Sequence, residues 1–236
     1  MSVSVACASA PSREHDQSVF AGSILEQLPA AALAALAGAA RRGRAAALAA
    51  VPADRVLFPC SGIIAIRAAG HGVEVGSIGR EGGMCVRVDP GFGLVAYVPT
   101  TYVSIDMLAF ARLTAQYREI AALRQACNGW LLAQAQQIAI CNTMHGMRAR
   151  ISRWLLRTAD LLGTDRNLPF SQHTIATATG FERTSTCQAL GQLDGVRYRR
   201  CSISIDREKL RQTACDCCET FSSAHWPRIA EGVCDA

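Results

Sequence analysis

A short stretch in the C-terminal third, residues 171–193, decides the fold, and it reads SQHTIATATGFERTSTCQALGQL. Ser171 is a good N-cap, so the stretch predicts a helix that begins at Gln172. Two helices that cross steeply need a small residue where they touch and a residue with positive φ in the turn between them. Ala176 and Gly180 meet these two needs, four residues apart. The stretch is therefore predicted to be a helix-turn-helix.

The second helix of this motif has one face to bury and one face to present. The buried face follows a four-then-three spacing, at Thr186, Leu190 and Leu193. This leaves Arg183, Thr184 and Gln188 projecting together from the first turns, where a recognition helix presents side chains to the major groove. Arginine suits the O6 and N7 atoms of guanine, and glutamine suits the N6 and N7 atoms of adenine. The expected DNA contacts in this motif are Ser171, Gln172, Arg183, Thr184, Ser185 and Gln188.

A tight β-hairpin is predicted over residues 196–205, directly after the motif. A hairpin beside a helix-turn-helix is a wing, and we expect its Arg197, Arg199 and Arg200 to contact phosphates. The segment 142–211 holds 12 basic and 6 acidic residues, whereas the whole chain has a net charge of +5. This concentration of charge is typical of a module that binds nucleic acid and is attached to a nearly neutral one.

A long helix is predicted upstream of this module, from about Leu108 to His145. Nine positions on it alternate spacings of four and three residues: Leu113, Tyr117, Ile120, Arg124, Cys127, Leu131, Gln134, Ile138 and Cys141. Such a stripe indicates either a helix that pairs with a second chain or a core helix of its own domain. Arg124 and Gln134 favour the pair of chains, because polar seam residues can fix register. The predicted homodimer interface is Leu113, Tyr117, Ile120, Cys127, Leu131 and Ile138.

The N-terminal half has the texture of a β-structure. Five short β-rich runs, punctuated by Gly and Pro, lie at 56–58, 63–66, 73–75, 94–98 and 102–105. They predict a small antiparallel roll or barrel. The preceding stretch, Ala37–Ala50, is almost all Ala, Arg and Gly and has a high helix propensity.

The predicted fold class is therefore α+β, with two tails. We expect a β-roll over residues 19–107, a dimerisation helix over residues 108–143 and a winged helix-turn-helix over residues 144–220. Residues 1–18 and 221–236 are predicted to be tails.

The eleven cysteines favour free thiols in a reducing cytoplasm, since an odd number cannot pair completely within one chain and no signal peptide is present. The sequence contains no uninterrupted run of about 18 apolar residues, so no membrane span is predicted. Cys141 and His145 lie one helical turn apart, but two ligands alone make a weak metal site. The dense group around Cys215 and Cys217 is interpreted as structural thiols, with a redox switch left open. No metal, no cofactor and no catalytic group is expected, so an enzyme is not predicted.

The chain resembles the Crp/Fnr family of bacterial transcription regulators over about residues 20–220. The similar stretches are FPCSGII (58–64), VEVGSIGREG (73–82), CNTMH (141–145), RISRWLL (150–156), the helix-turn-helix, RYRR (197–200) and ACDC (214–217). The resemblance implies a homodimer with a cyclic-nucleotide-binding-like β-roll, a long dimer helix and a winged helix on double-stranded DNA. It also implies recognition contacts at Arg183, Thr184 and Gln188, and RNA polymerase is a further expected partner.

Two departures from the family pattern concern the sensor half. The segment Arg41–Ala50 stands where relatives have a pair of β-strands and is short, which leaves open whether the roll is complete. Residues Gly82–Asp89 lack the arginine–hydroxyl pair of a phosphate-binding cassette, so cyclic-nucleotide binding is not expected.

Two functions follow from these patterns. The first is a sequence-specific, DNA-binding transcription regulator that acts as a dimer on a two-fold site. The alternative is a thiol- or ligand-sensing regulator that acts through a protein partner, with weak or no DNA binding.

Overall fold

Two three-stranded antiparallel sheets form the N-terminal half of the chain. The computed structural model describes residues 19–199 and 202–220, so both predicted tails lie outside the described residues. The strands of the first sheet lie in the order β1 (Ala40–Ala45), β6 (Thr100–Asp106), β2 (Arg55–Ser61). Those of the second sheet lie in the order β4 (Glu74–Ile78), β3 (Ile64–Ala68), β5 (Phe92–Ala96). The predicted antiparallel roll is confirmed.

The stretch Ala37–Ala50 contributes a strand, and the helix that its composition favours covers only its first residue. β1 pairs with β6 in antiparallel register from Ala40 to Ala45. Helix propensities differ by only about 0–0.7 kcal/mol per ordinary residue, which is too little to outweigh a ladder of hydrogen bonds along the edge of β6. Ala50 adds a single bridge to Val95 of β5. Within the described residues, this part of the roll is therefore one strand and one bridge.

The predicted single helix over residues 108–143 is wrong, because the backbone breaks at Tyr117. Helix α2 (Met107–Gln116) begins where the Asp106 side chain accepts hydrogen bonds from two backbone N–H groups, and α3 (Arg118–Met144) follows it. Tyr117 between them is extended, with φ −122° and ψ 112°. The break lets residues from both helices pack into one core with the roll and with the short N-terminal helices, a 3-10 turn at Ile24–Gln27 and α1 at Ala30–Ala37.

The stripe predicted to be a dimer interface runs from Leu113 on α2, through Tyr117, to Ile138 on α3, and it packs on its own chain. Four of its six residues are buried within the chain, Ile120, Cys127, Leu131 and Ile138, and two are partly buried, Leu113 and Tyr117. Gln134 pairs with the backbone of Ser77 in β4, since its Nε2 donates to the carbonyl oxygen at 3.1 Å and its Oε1 accepts from the N–H. This stripe is therefore a core face, and its residues are not free to meet a second chain.

Among the described residues, the elements of the C-terminal half surround a shared core. They are α4 (Met147–Leu162), α5 (Gln172–Thr179), α6 (Arg183–Gln192), the hairpin β7 (Val196–Arg199) and β8 (Ser202–Ile205), α7 (Arg207–Thr213) and the short α8 (Cys217–Thr220). Their core also takes in side chains of the roll, namely Ile63, Ala65, Tyr97 and Val98. The two halves of the chain therefore pack directly against each other.

A buried carboxyl group joins these halves. Glu74 of β4 accepts a hydrogen bond from Tyr97 Oη at 2.8 Å and another from Trp154 Nε1 of α4 at 2.7 Å. Burial, reinforced by Glu74, raises the pKa of Tyr97 far above its usual range, so the phenol stays a donor. Trp154 also packs edge-on against Phe170, with ring centroids 5.0 Å apart.

In the described part of the chain, no helix has the length and apolar character needed to cross a membrane.

Replacing Gln134 by Ala is expected to lower the free energy of unfolding. The change leaves the buried N–H and carbonyl of Ser77 without partners, which costs about 1–3 kcal/mol. Urea denaturation followed by circular dichroism measures the change. Gln116→Ala is the matched control, because Gln116 is an exposed glutamine at the end of α2, away from the core. Equal stability of the two variants would contradict the core position of Gln134.

Candidate nucleic-acid interface

The helix-turn-helix has the local geometry that the sequence predicts. The Ser171 side chain caps α5 by accepting a hydrogen bond from the N–H of Thr174 at 3.0 Å. Gly180 ends α5 in the left-handed region, at φ +75°. Ala176 is buried at 3% exposure, as the crossing of two helices requires. The helix-turn-helix prediction is confirmed.

Helix α6 divides into a buried and an exposed face, also as predicted. Thr186, Leu190 and Leu193 are buried, and Arg183, Thr184 and Gln188 are exposed. The three exposed residues lie on the first two turns of the helix, at its N-terminal end. An arginine, a hydroxyl and an amide thus stand together on a surface that is open to a ligand.

Three further predicted contacts are less accessible than the sequence suggests. Ser171, Gln172 and Ser185 are half-buried. The hydroxyl of Ser171 is engaged as the cap of α5, and Gln172 Oε1 accepts a hydrogen bond from the Cys187 thiol at 2.7 Å. A DNA contact by Gln172 would therefore have to use its amide nitrogen or displace this thiol.

The predicted wing is present as the hairpin β7–β8, with Val196 opposite Ile205 and Arg199 opposite Ser202. Its outer side chains Arg197, Tyr198 and Arg199 are exposed. Ile203 is buried and pairs with Leu168, which fixes the hairpin to the loop before α5. Arg200, the remaining predicted phosphate contact, lies outside the described residues.

Several arginines of this basic region hold the fold together. Arg150 donates to the carbonyl oxygen of Thr179 at 2.7 Å, and Arg148 donates to that of Gln192 at 3.1 Å. Both carbonyls lie at helix C-termini, where a cation is favourable because the helix dipole is negative there. Desolvation lowers the pKa of Arg150, whose guanidinium also stacks on the Phe181 ring at 4.2 Å.

Two more arginines form ion pairs within the chain. Arg157 of α4 pairs with Glu81 of the roll at 3.1 Å, and Arg207 pairs with Asp160 and Asp165. Glu81 belongs to the stretch VEVGSIGREG, residues 73–82 of the roll. In this structure its carboxylate therefore contributes to the contact between the roll and α4.

The structure also brings together residues that the sequence analysis treated as unrelated. Cys141 and His145, at the end of α3, meet Cys215 and Cys217, which lie between α7 and the start of α8. Their ligand atoms all lie within 4.8 Å of one another, and we call these four residues the Cys3His cluster. Cys141 and His145, which the sequence presents as two ligands alone, therefore have two further potential metal ligands beside them. The signal in the sequence was the presence of two closely spaced pairs of potential metal ligands, CxxxH at 141–145 and CxC at 215–217.

The overall structure is similar to those of Crp/Fnr regulators. FixK2 from Bradyrhizobium japonicum superposes with a TM-score of 0.63 at 15% identity, covering 75% of this chain and 98% of that one. The c-di-GMP responsive global regulator CLP from Xanthomonas campestris gives 0.62 at 15% identity, with 75% and 99% coverage. TTHB099 from Thermus thermophilus, a CRP-family transcriptional regulator, gives 0.60 at 15% identity, with 73% and 96% coverage. The chain therefore has the fold of the Crp/Fnr regulators.

Comparison by sequence adds no relative: no known family profile and no curated protein matches this chain.

Substitution of Gly180 by Ala is expected to destabilise the protein for two reasons. The left-handed conformation costs an alanine about 1–2 kcal/mol. The new Cβ would also lie 3.2 Å from a methyl group of Val73 in the roll. Chemical denaturation measures both contributions together.

Gly163→Ala separates the two contributions, because Gly163 also has a positive φ but no atom within 4 Å of the Cβ position. We expect Gly180→Ala to cost more than Gly163→Ala, and the excess to vanish in a Val73→Ala background. An equal cost in the wild-type background would argue against contact between the roll and the helix-turn-helix.

Proposed function

We propose that this chain is a sequence-specific, DNA-binding transcription regulator. The observation that carries the proposal is the exposure of Arg183, Thr184 and Gln188 on one end of α6, while the opposite face of that helix is buried. Bidentate donors on the first turns of such a helix suit the base edges of the major groove. The named Crp/Fnr structures, two of them described as regulators, support the same role.

The wing supplies the second half of a DNA contact. Arg197 and Arg199 are exposed on β7, and neither makes an ion pair among the described residues. Arginines placed in this way can bind phosphates, which fixes the register of the recognition helix without reading sequence. Base contacts by α6 and phosphate contacts by the wing are therefore separable by experiment.

The active form is proposed to be a homodimer that forms through the exposed face of α3. From Gln125 to Met144 this helix carries no charged residue. Its exposed side chains include Leu132, Ile140 and Met144, and small residues such as Gly129, Ala135 and Ala139 lie beside them. A solvent-facing helix surface without charge is unusual, because charged residues normally cover such surfaces. A second α3 helix is the partner that this face fits.

A two-fold dimer would place two recognition helices on one face of the duplex. Half-sites are then expected about 10 base pairs, or a multiple of this, apart. RNA polymerase as a further partner stays a prediction.

Replacing Arg183 by Ala is expected to relax base preference, and replacing Arg199 by Ala to weaken binding on all sequences. Loss of a bidentate base contact reduces discrimination by about 1–3 kcal/mol, and loss of a phosphate contact lowers the salt slope by about 1. A DNA site selected from a random library with the purified protein serves as the probe. Fluorescence anisotropy at several salt concentrations measures affinity for it and for point-mutated sites.

Arg44→Ala is the control for both variants, because Arg44 is an exposed arginine on β1 of the first sheet. The proposal fails if the Arg183 and Arg199 variants bind every sequence as well as the wild type does. Affinity capture that recovers a partner protein, together with a library that yields no DNA motif, would favour the alternative regulator.

Ile140→Glu is expected to convert the dimer into a monomer, because a carboxylate at a dimer contact would lose its hydration without gaining a partner. Sedimentation velocity over a range of protein concentrations measures the shift. Leu108→Glu is the control, since Leu108 is 69% exposed on α2, outside the uncharged face. A wild-type protein that stays monomeric, or a dimer that Ile140→Glu leaves intact, would exclude this interface.

A further inference from the structure

The Cys3His cluster lies at the junction between the long helix and the DNA-binding module. Helix α3 ends at Met144, His145 is extended, and α4 begins at Met147. Cys141 and His145 belong to the α3 side of this junction. Cys215 and Cys217 follow α7, and both α7 and α8 pack on α4. The cluster thus connects two parts of the chain that the sequence separates by about 70 residues.

From these four residues we infer a site for one divalent metal ion, and the ligand set is that of zinc. Cysteine sulfur and histidine nitrogen are the ligands that structural zinc takes, with four of them in a tetrahedron. Each of the four residues offers one such atom. The site would hold the end of α3 against the last helices of the DNA-binding module.

Two of the six ligand-to-ligand distances match the edges of a tetrahedron around a single ion, and all six are within 4.8 Å. Zn–S bonds of about 2.3 Å and Zn–N bonds of about 2.0–2.1 Å imply edges of about 3.8 Å between sulfurs and about 3.6 Å between sulfur and nitrogen. Cys141 Sγ and Cys215 Sγ are 3.6 Å apart, and Cys217 Sγ and His145 Nδ1 are also 3.6 Å apart. A multi-iron cluster needs a wider arrangement, because its four ligands are divided among two or more irons.

The surroundings are those of a structural metal site. All three cysteines are buried, and the only other hydrophobic residue that packs on them among the described residues is Ala149. The amide Nε2 of Gln137 lies 2.7 Å from Cys217 Sγ, so it can donate a hydrogen bond to a thiolate. Donors of this kind orient metal ligands and stabilise their charge. Arg150 interacts electrostatically with Cys141 and would offset part of the negative charge.

Protons balance on binding as follows. Three thiols each lose a proton to solvent and bind as thiolates, and neutral His145 binds through the lone pair of Nδ1. The loaded site then carries a net charge of −1, since a dication meets three thiolates. Affinity for the metal is therefore expected to fall as the pH is lowered, because protons compete for the sulfurs.

The test is the metal content of the full-length protein, purified under reducing conditions and then incubated with zinc. We expect about one zinc per chain by mass spectrometry of the metal, after excess is removed by gel filtration. Replacement of zinc by Co2+ should give the visible absorption of a tetrahedral site with a sulfur-to-cobalt charge-transfer band. Less than a tenth of an equivalent of zinc, with no such spectrum, would overturn the proposal.

Variants identify the ligands. Cys215→Ser should lower zinc affinity at least a hundredfold, whereas His145→Cys, which keeps four ligands, should retain one zinc. Cys218→Ser is the control, because Cys218 neighbours Cys217 in sequence but lies outside the cluster. Zinc retained by Cys215→Ser would contradict the assignment. If Cys215→Ser does not fold, the Co2+ spectra of the wild type and of His145→Cys, which should differ in charge-transfer intensity, decide the question.

Hydrogen exchange tests the role of the site at the junction, without reference to DNA. Removing zinc with a chelator should increase exchange of backbone amides at 142–148 and 214–218, with little change in the strands of the roll. Unchanged exchange at these segments would exclude the metal as a clamp. If the protein binds one zinc but no DNA, the metal site is supported and the proposed DNA-binding function is refuted.

A disulfide between Cys141 and Cys215 is the competing use of these sulfurs. Thiol counting under denaturing conditions, before and after reduction, distinguishes the two. Two thiols that appear only after reduction, in a protein that takes up no zinc once reduced, would refute the metal site.

Discussion

The arrangement of the two halves of this protein depends on one buried carboxyl group. Glu74, on the second sheet, accepts hydrogen bonds from Tyr97 of the roll and from Trp154 of α4. A buried polar group is costly unless it is paired, so these two donors must stay in place for the fold to persist. Trp154 in turn packs on Phe170 at the entry to the helix-turn-helix. The orientation of α5 and α6, and with it the exposure of their polar face, therefore follows from this joint.

The positive charge of the C-terminal half serves two different purposes. Arg148 and Arg150 neutralise the C-terminal ends of the two helices of the motif, and Arg157 pairs with Glu81 across the contact between the halves. These three arginines stabilise the fold through contacts within the chain. The cations that remain exposed, Arg183 on α6 and Arg197 with Arg199 on the wing, lie on the elements proposed to contact DNA. Net charge alone does not separate these two sets, because both contribute equally to it.

Helix α3 connects the proposed activities of the molecule. One of its faces is held in the core of the roll, in part through the pairing of Gln134 with Ser77, and from Gln125 to Met144 its opposite face is uncharged and exposed. Cys141 in its last turn and His145 directly after it are two of the four residues of the Cys3His cluster. A metal ion there would join the helix that we propose as the dimer contact to the module that we propose binds DNA.

The sequence by itself determined the elements whose signals are local. Ser171, Ala176 and Gly180 specify the helix-turn-helix because capping, close packing and positive φ are properties of single residues. Tertiary structure alone decided the strand β1, the break at Tyr117 and the face that α3 buries. Hydrogen bonding along β6 outweighed the helix propensity of the residues that form β1. The core shared with the roll determined the break at Tyr117 and the face that α3 buries. The Cys3His cluster belongs with them, since Cys141 and Cys215 are 74 residues apart and only the packing of α7 and α8 on α4, the helix that follows α3, brings their sulfurs together.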